Sequence, residues 1–241
     1  MAAEAAMESM WQAPRHASHA LARCAALLAV LYWLVAPLQL RAAAATIESL
    51  AGDYRYCTLC HGATGNGNVA IQAPALAGIE EWYLRGRLQA YRTQQLGHDF
   101  AKDPAGTEMR TVAREVGEER FADIGRYIAA MRNDAPTATV TGDAAAGRRL
   151  YAAQCVVCHG ARGEGNAQLH APGLARLNDW YLVSSFGKYR TGLRGAEGSD
   201  PYAQQMRALG EAMGPAFAIN DVAAFLRTLH PARSGTKADR R

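Results

Sequence analysis

Cys57-Thr58-Leu59-Cys60-His61 stands in this chain twice, the second copy reading Cys155-Val156-Val157-Cys158-His159. C-x-x-C-H is the attachment sequence of a c-type haem. Two thiols three positions apart on one helical turn can each add across one haem vinyl group. The next residue then lies under the iron, where its imidazole becomes the fifth ligand. C-x-x-C alone also serves dithiol redox pairs and zinc ribbons. Neither of those needs a His directly after the second Cys in both copies. The expected cofactors are therefore two haem c groups, bound through Cys57, Cys60, Cys155 and Cys158, with His61 and His159 as axial iron ligands.

The motif is the anchor of a longer repeat. An offset of 98 relates His61 to His159, and it also carries Gly65 to Gly163, Asn68 to Asn166, Pro74 to Pro172 and Leu76 to Leu174. Trp82-Tyr83-Leu84 and Tyr91-Arg92-Thr93 recur as Trp180-Tyr181-Leu182 and Tyr189-Arg190-Thr191. Two copies make two domains of one fold rather than a solenoid. The polar, proline-interrupted stretch from Asn133 to Thr139 is the natural boundary. An apolar porphyrin at the centre of each small half would enlarge its core.

The pattern within each half is helical. Phe121, Ile124, Tyr127, Ile128 and Met131 share one helical face, and their equivalents are Ile219, Val222, Phe225, Leu226 and Leu229. Helices are also expected over Ile79–Thr93, burying Trp82, Tyr83 and Leu88, and over Leu177–Thr191. Asp143 can cap a helix through Gly147 and Tyr151, and Thr46 one that runs to the first cysteines. No stretch alternates as a strand does.

Residues 1–45 read as a targeting segment. Arg15 and Arg23 precede the apolar run Cys24–Leu40, and Ala42 to Ala45 supply small residues for a signal peptidase. A retained N-terminal anchor, giving membrane association, is the other reading. The expected division is thus 1–45 signal peptide or anchor, 46–136 first domain and 137–241 second domain, with the polar tail after Pro231 disordered. Export agrees with the cysteines, since all four beyond the leader belong to the haem motifs and none is left for a disulfide. The chain has 241 residues, 49% of them hydrophobic and 20% charged, which is an ordinary globular composition. The net charge of +4 comes with no basic run of nucleic-acid type, so nucleic acid is not an expected partner.

With two haem motifs, a leader and helical halves, the chain resembles the di-haem class I c-type cytochromes, and among them the cytochrome c4 group. The resemblance covers residues 46 to about 230 and rests on Cys-x-x-Cys-His-Gly, a later Pro-x-Leu, a downstream Met and a final helix, each present twice. It implies an all-α fold of two tandem class I cytochrome c domains, each wrapped around one covalent haem. It implies that Pro74 and Pro172 offer their carbonyls to the ligand histidines, fixing the ring and raising its basicity. It also implies crossed terminal helices with a glycine against an aromatic. Gly147, Tyr151 and Phe225 match that pattern, whereas the first half has Ser49 and Asp53 at the same offset and should pack differently. Arg92 and Arg190 are candidate partners for the haem propionates.

Four methionines follow the leader. Met131 aligns with Leu229 on the core side of a helix, and Met213 aligns with Glu115. Met109 and Met206 remain, each followed by Arg and lying before the last helix, 97 residues apart. They are the expected sixth iron ligands, because a thioether suits ferrous iron. The function implied is electron transport in a respiratory chain in the periplasm, with a quinol-oxidising complex, a dehydrogenase or a terminal oxidase as partner. A di-haem enzyme, peroxidase or sulfur-compound dehydrogenase, is the alternative. A haem subunit of a larger dehydrogenase or oxidase is another.

Overall fold

The computed structural model describes residues 54–135 and 137–230, together with the isolated positions 29, 32 and 52. Apart from positions 29 and 32, the expected leader lies outside the described residues, as do the Thr46 cap and the tail after Pro231. No helix among the described residues is long and apolar enough to cross a membrane.

The first half runs through α1 (Thr58–His61), α2 (Glu81–Arg92), α3 (Pro104–Glu115) and α4 (Phe121–Ala130). The second runs through α5 (Ala144–Gln154), α6 (Val156–His159), α7 (Asp179–Arg190), α8 (Pro201–Met213) and α9 (Ile219–Thr228). Strands are absent among the described residues, and two isolated bridges, Asn68 to Ala73 and Asn166 to Ala171, close the loops after the haem motifs. Helices α2, α4, α7 and α9 form where periodicity places them.

Helices α3 and α8 were not foreseen from the apolar pattern. Each begins with Asp-Pro: the Asp103 carboxylate accepts from the Gly106 amide, and the Asp200 carboxylate from the Tyr202 amide. Proline at the first helical position loses an amide that would have been unpaired and brings a helical φ. One residue is missing from the loop before Asp200, so α8 sits at offset 97 while α7 keeps 98.

Helix α5 starts at Asp143, whose carboxylate accepts from the Ala145 and Ala146 amides. It crosses α9 at Gly147, where a Cβ would run into the backbone carbonyl oxygen of Asp221. Tyr151 then packs on Phe225 with ring centroids 5.6 Å apart. The first half uses the same pairing with a residue one place over. Tyr54 packs on Tyr127 at 5.5 Å, and Asp53 is simply its neighbour. Tyr54 donates to the Gly62 carbonyl at 3.0 Å as Tyr151 donates to that of Gly160 at 2.7 Å. The departure read at position 53 is therefore a one-residue slip.

The described residues of the two halves, from position 52 to 230, share one compact unit. Leu84, Leu88, Phe121, Ile124 and Ile128 form the core of the first, and Leu177, Leu182, Val222 and Leu226 that of the second. Trp82 and Tyr83, expected inside, are only half-buried, because they face the seam between the halves.

Candidate haem sites

Each haem motif forms one short helical turn whose histidine is almost fully buried, His61 at 4% exposure and His159 at 7%. His61 donates through Nδ1 to the Pro74 carbonyl at 2.7 Å, and His159 to that of Pro172 at 2.8 Å. Donation at Nδ1 fixes the tautomer and leaves Nε2 with a lone pair for a metal. Burial pushes both imidazoles below their ordinary range, opposed by the proline carbonyls and, at His159, by the charge of Glu80. A buried neutral imidazole is the form that ligates iron.

Glycine brings each ligand loop close. Gly67 and Gly165 adopt φ of +82° and +83°, in the left-handed region, and a Cβ on Gly67 would lie 2.6 Å from the Ala75 amide nitrogen. None of the four motif cysteines is in a disulfide. Before attachment, burial raises the Cys57 and Cys155 thiols to about 11.

A cleft runs beside each histidine. The first is lined by His61, Pro74, Leu76, Leu88 and Met109, and narrows to about 70 Å³. The second, of about 780 Å³, is lined by Cys155, His159, Pro172, Leu182 and Met206. Met213, the last residue of α8, also reaches the second cleft. Met131 lies on the core side against Gly65. Each cleft is finished by the opposite half: Trp180, Lys188 and Arg194 line the first, and Trp82, Gln89 and Phe121 the second. Tyr83, Arg87 and Tyr181 line both.

Arg92 and Arg190 serve another purpose than the one expected. The Arg92 guanidinium donates to the carbonyls of Ala113, Arg114 and Val116 at the end of α3. Arg190 reaches the Gly214 carbonyl just past α8. Both close a helix C-terminus, where the dipole favours a cation. The cations that line the clefts are instead Arg87, half-buried, and Arg194, fully buried. Arg87 lies over the Tyr83 ring and donates to the Tyr189 hydroxyl at 3.3 Å. Arg194 is 2% exposed, lies over Tyr181 and donates to Ser185 at 3.0 Å. Burial opposes its charge, and the surrounding phenols keep it protonated. The Nε of each guanidinium is buried without a hydrogen-bond partner.

That set of residues suits haem. Its flat body is apolar, as the cleft walls are, and its propionates are the anions that two guanidiniums, each with a buried unused donor, call for. His98 and His170 are exposed, as expected of loop residues. His170 stacks on Tyr202 with centroids 4.2 Å apart and meets Trp82 edge-on across the seam.

A duplicated helical protein with a C-x-x-C-H turn in each half, and a buried histidine and a methionine lining each cleft, is a two-centre haem-binding fold. The chain belongs to the cytochrome c family: the family described as Cytochrome c matches residues 51–132 and again 144–230. It is a di-haem c-type cytochrome, an electron-transfer protein carrying two haem c groups. A relative from Stutzerimonas stutzeri, described as a thiosulfate dehydrogenase electron acceptor, is 28% identical over 64% of this chain and 72% of its own. Cytochrome c4 from Pseudomonas stutzeri has a similar fold, with a TM-score of 0.56 at 24% identity over 76% of this chain and 96% of that one. The thiosulfate dehydrogenase (TsdBA) of Marichromatium purpuratum is 29% identical, with a TM-score of 0.56 over 71% of this chain. The present chain spans 36% of that longer one.

Proposed function

We propose that this chain is an electron carrier without an enzymatic reaction of its own. Bound haem supplies a one-electron couple at iron. The observation that supports a carrier is that each cleft offers one buried histidine and one methionine from a different element, His61 with Met109 and His159 with Met206. Filling both axial positions leaves no site for a substrate and raises the potential. Cys57, Cys60, Cys155 and Cys158 hold the groups covalently, and Pro74 and Pro172 orient the histidines. Residues 46–136 and 137–241 form the two domains, and the leader sends the chain to the periplasm.

The description of the Stutzerimonas relative makes a sulfur-compound dehydrogenase the donor class to try first, with a terminal oxidase downstream. Holoprotein mixed with thiosulfate alone should stay oxidised, and adding a thiosulfate dehydrogenase should reduce both haems. Steady turnover of thiosulfate by the chain alone would make it an enzyme. Denatured protein should retain two haems through organic extraction, and replacing Cys57 and Cys60 together with Ala should leave one.

A further inference from the structure

The residues at the N-terminal caps of α2 and α7 are equivalent, Glu80 and Asn178, and neither caps its own helix. Asparagine is among the best capping residues, so its diversion calls for another use. Both side chains reach across the seam. Asn178 accepts from the Ala75 amide at 2.6 Å, and Glu80 accepts from the Gly173 amide at 2.9 Å. The Ala75 N–H and the Pro74 carbonyl belong to one peptide group, as do the Gly173 N–H and the Pro172 carbonyl. Those carbonyls are the ones that His61 and His159 donate to.

A hydrogen bond accepted at the N–H side of a peptide polarises its carbonyl and strengthens the bond on the far side. The relay therefore runs from Asn178 through one peptide to His61, and from Glu80 through one peptide to His159. Each half adjusts the histidine of the other. The two relays differ in charge. A carboxylate acceptor makes a stronger bond than an amide oxygen. The loop sequences differ to match, because a Cβ on Gly173 would lie 2.6 Å from Glu80 Oε1, whereas Ala75 tolerates the shorter Asn178.

We propose that Glu80 and Asn178 are positioning residues that set the donor strength of the histidine in the opposite half, and that the carboxylate at Glu80 makes the second haem the lower-potential one. A more basic imidazole and a nearby negative charge both favour ferric over ferrous iron. Glu80 brings a negative charge to the loop that holds His159, and Asn178 brings none to the loop that holds His61.

The inference rests on His61 and His159 being iron ligands. Its test is a spectroelectrochemical titration of the holoprotein. Met206→Ala marks the wave of the second haem by removing its sulfur–iron band. Glu80→Gln keeps an oxygen acceptor and removes the charge. It should raise the second wave toward the first and leave the first in place. Asn178→Asp should lower the first wave alone. A wild type without the sulfur–iron band or without two low-spin haems would sink the ligand reading itself. With those spectra intact, the inference is overturned if Glu80→Gln leaves both waves unmoved, shifts both together or moves only the first. Asn178→Asp acting on the second wave would overturn it too.

Discussion

Asp103 and Lys188 meet across the seam with 2.7 Å between carboxylate oxygen and ammonium nitrogen, and the same carboxylate caps the helix that carries Met109. The Asp103 side chain is 6% exposed, so the pair is shielded from water and salt. Lys188→Met should leave a buried carboxylate unpaired and cost about 3 kcal/mol. Denaturant titration of the holoprotein in low and high salt checks this. A loss that vanishes at high salt would mean that the pair is effectively solvent-exposed.

Met109→Ala and Met206→Ala should each remove half of the weak near-red sulfur–iron absorption and lower the potential of one haem. Retention of the full band in both variants would move the ligand role to Met213 or Met131. Met213→Leu, which keeps the apolar wall of the second cleft, should leave the band whole.

Asp179 gathers the start of the second half. It accepts from the Thr139 and Val140 amides, the Thr139 hydroxyl and Arg227, the last at 2.6 Å. Burial alone would raise its pKa, but these hydrogen bonds outweigh it and hold the carboxyl below its ordinary value. The stabilisation is therefore complete above the unfolded value near about pH 4 and is lost as pH falls through the lower folded value. Asp179→Asn should cost about 2 kcal/mol at pH 7 and flatten the acid limb of the stability curve. Thermal unfolding between pH 3 and 7 reads both effects.

Gly147→Ala should force α5 off α9, since the new methyl meets backbone that cannot move aside. The expected loss is about 3 kcal/mol. Gly187→Ala, within α7 with no atom within reach of a Cβ, should be neutral or slightly stabilising. A calorimetric melt of the two variants side by side separates packing from helix propensity.

The haem motifs, the repeat and the main helices were legible because each is local: a spacing, an offset or a 3.6-residue period. Helices α3 and α8 had a local signal too, the Asp-Pro pairs at 103–104 and 200–201, which is a capping signal and not an apolar stripe. The partner of Tyr127 was hidden by a fixed offset that does not follow a one-residue slip. The roles of Arg87 and Arg194 were not legible at all. Nothing on α2 distinguishes Arg87, which enters the seam, from the exposed Arg85 paired with Glu81. The difference comes from the other half of the molecule. The same holds for Glu80, whose partner Gly173 is 93 residues away.

The interval from each histidine to its proline carbonyl is 13 residues in both halves. Just upstream, the anchoring tyrosine stands three residues before the first cysteine in one half and four in the other. Downstream, the connector from Thr93 to Asp103 is one residue longer than that from Thr191 to Asp200. Since the two copies parted, length has drifted on either side of the haem-binding turn and not within it. The molecule thus keeps its own record of where an inserted residue is harmless, and the span from histidine to proline carries no such mark.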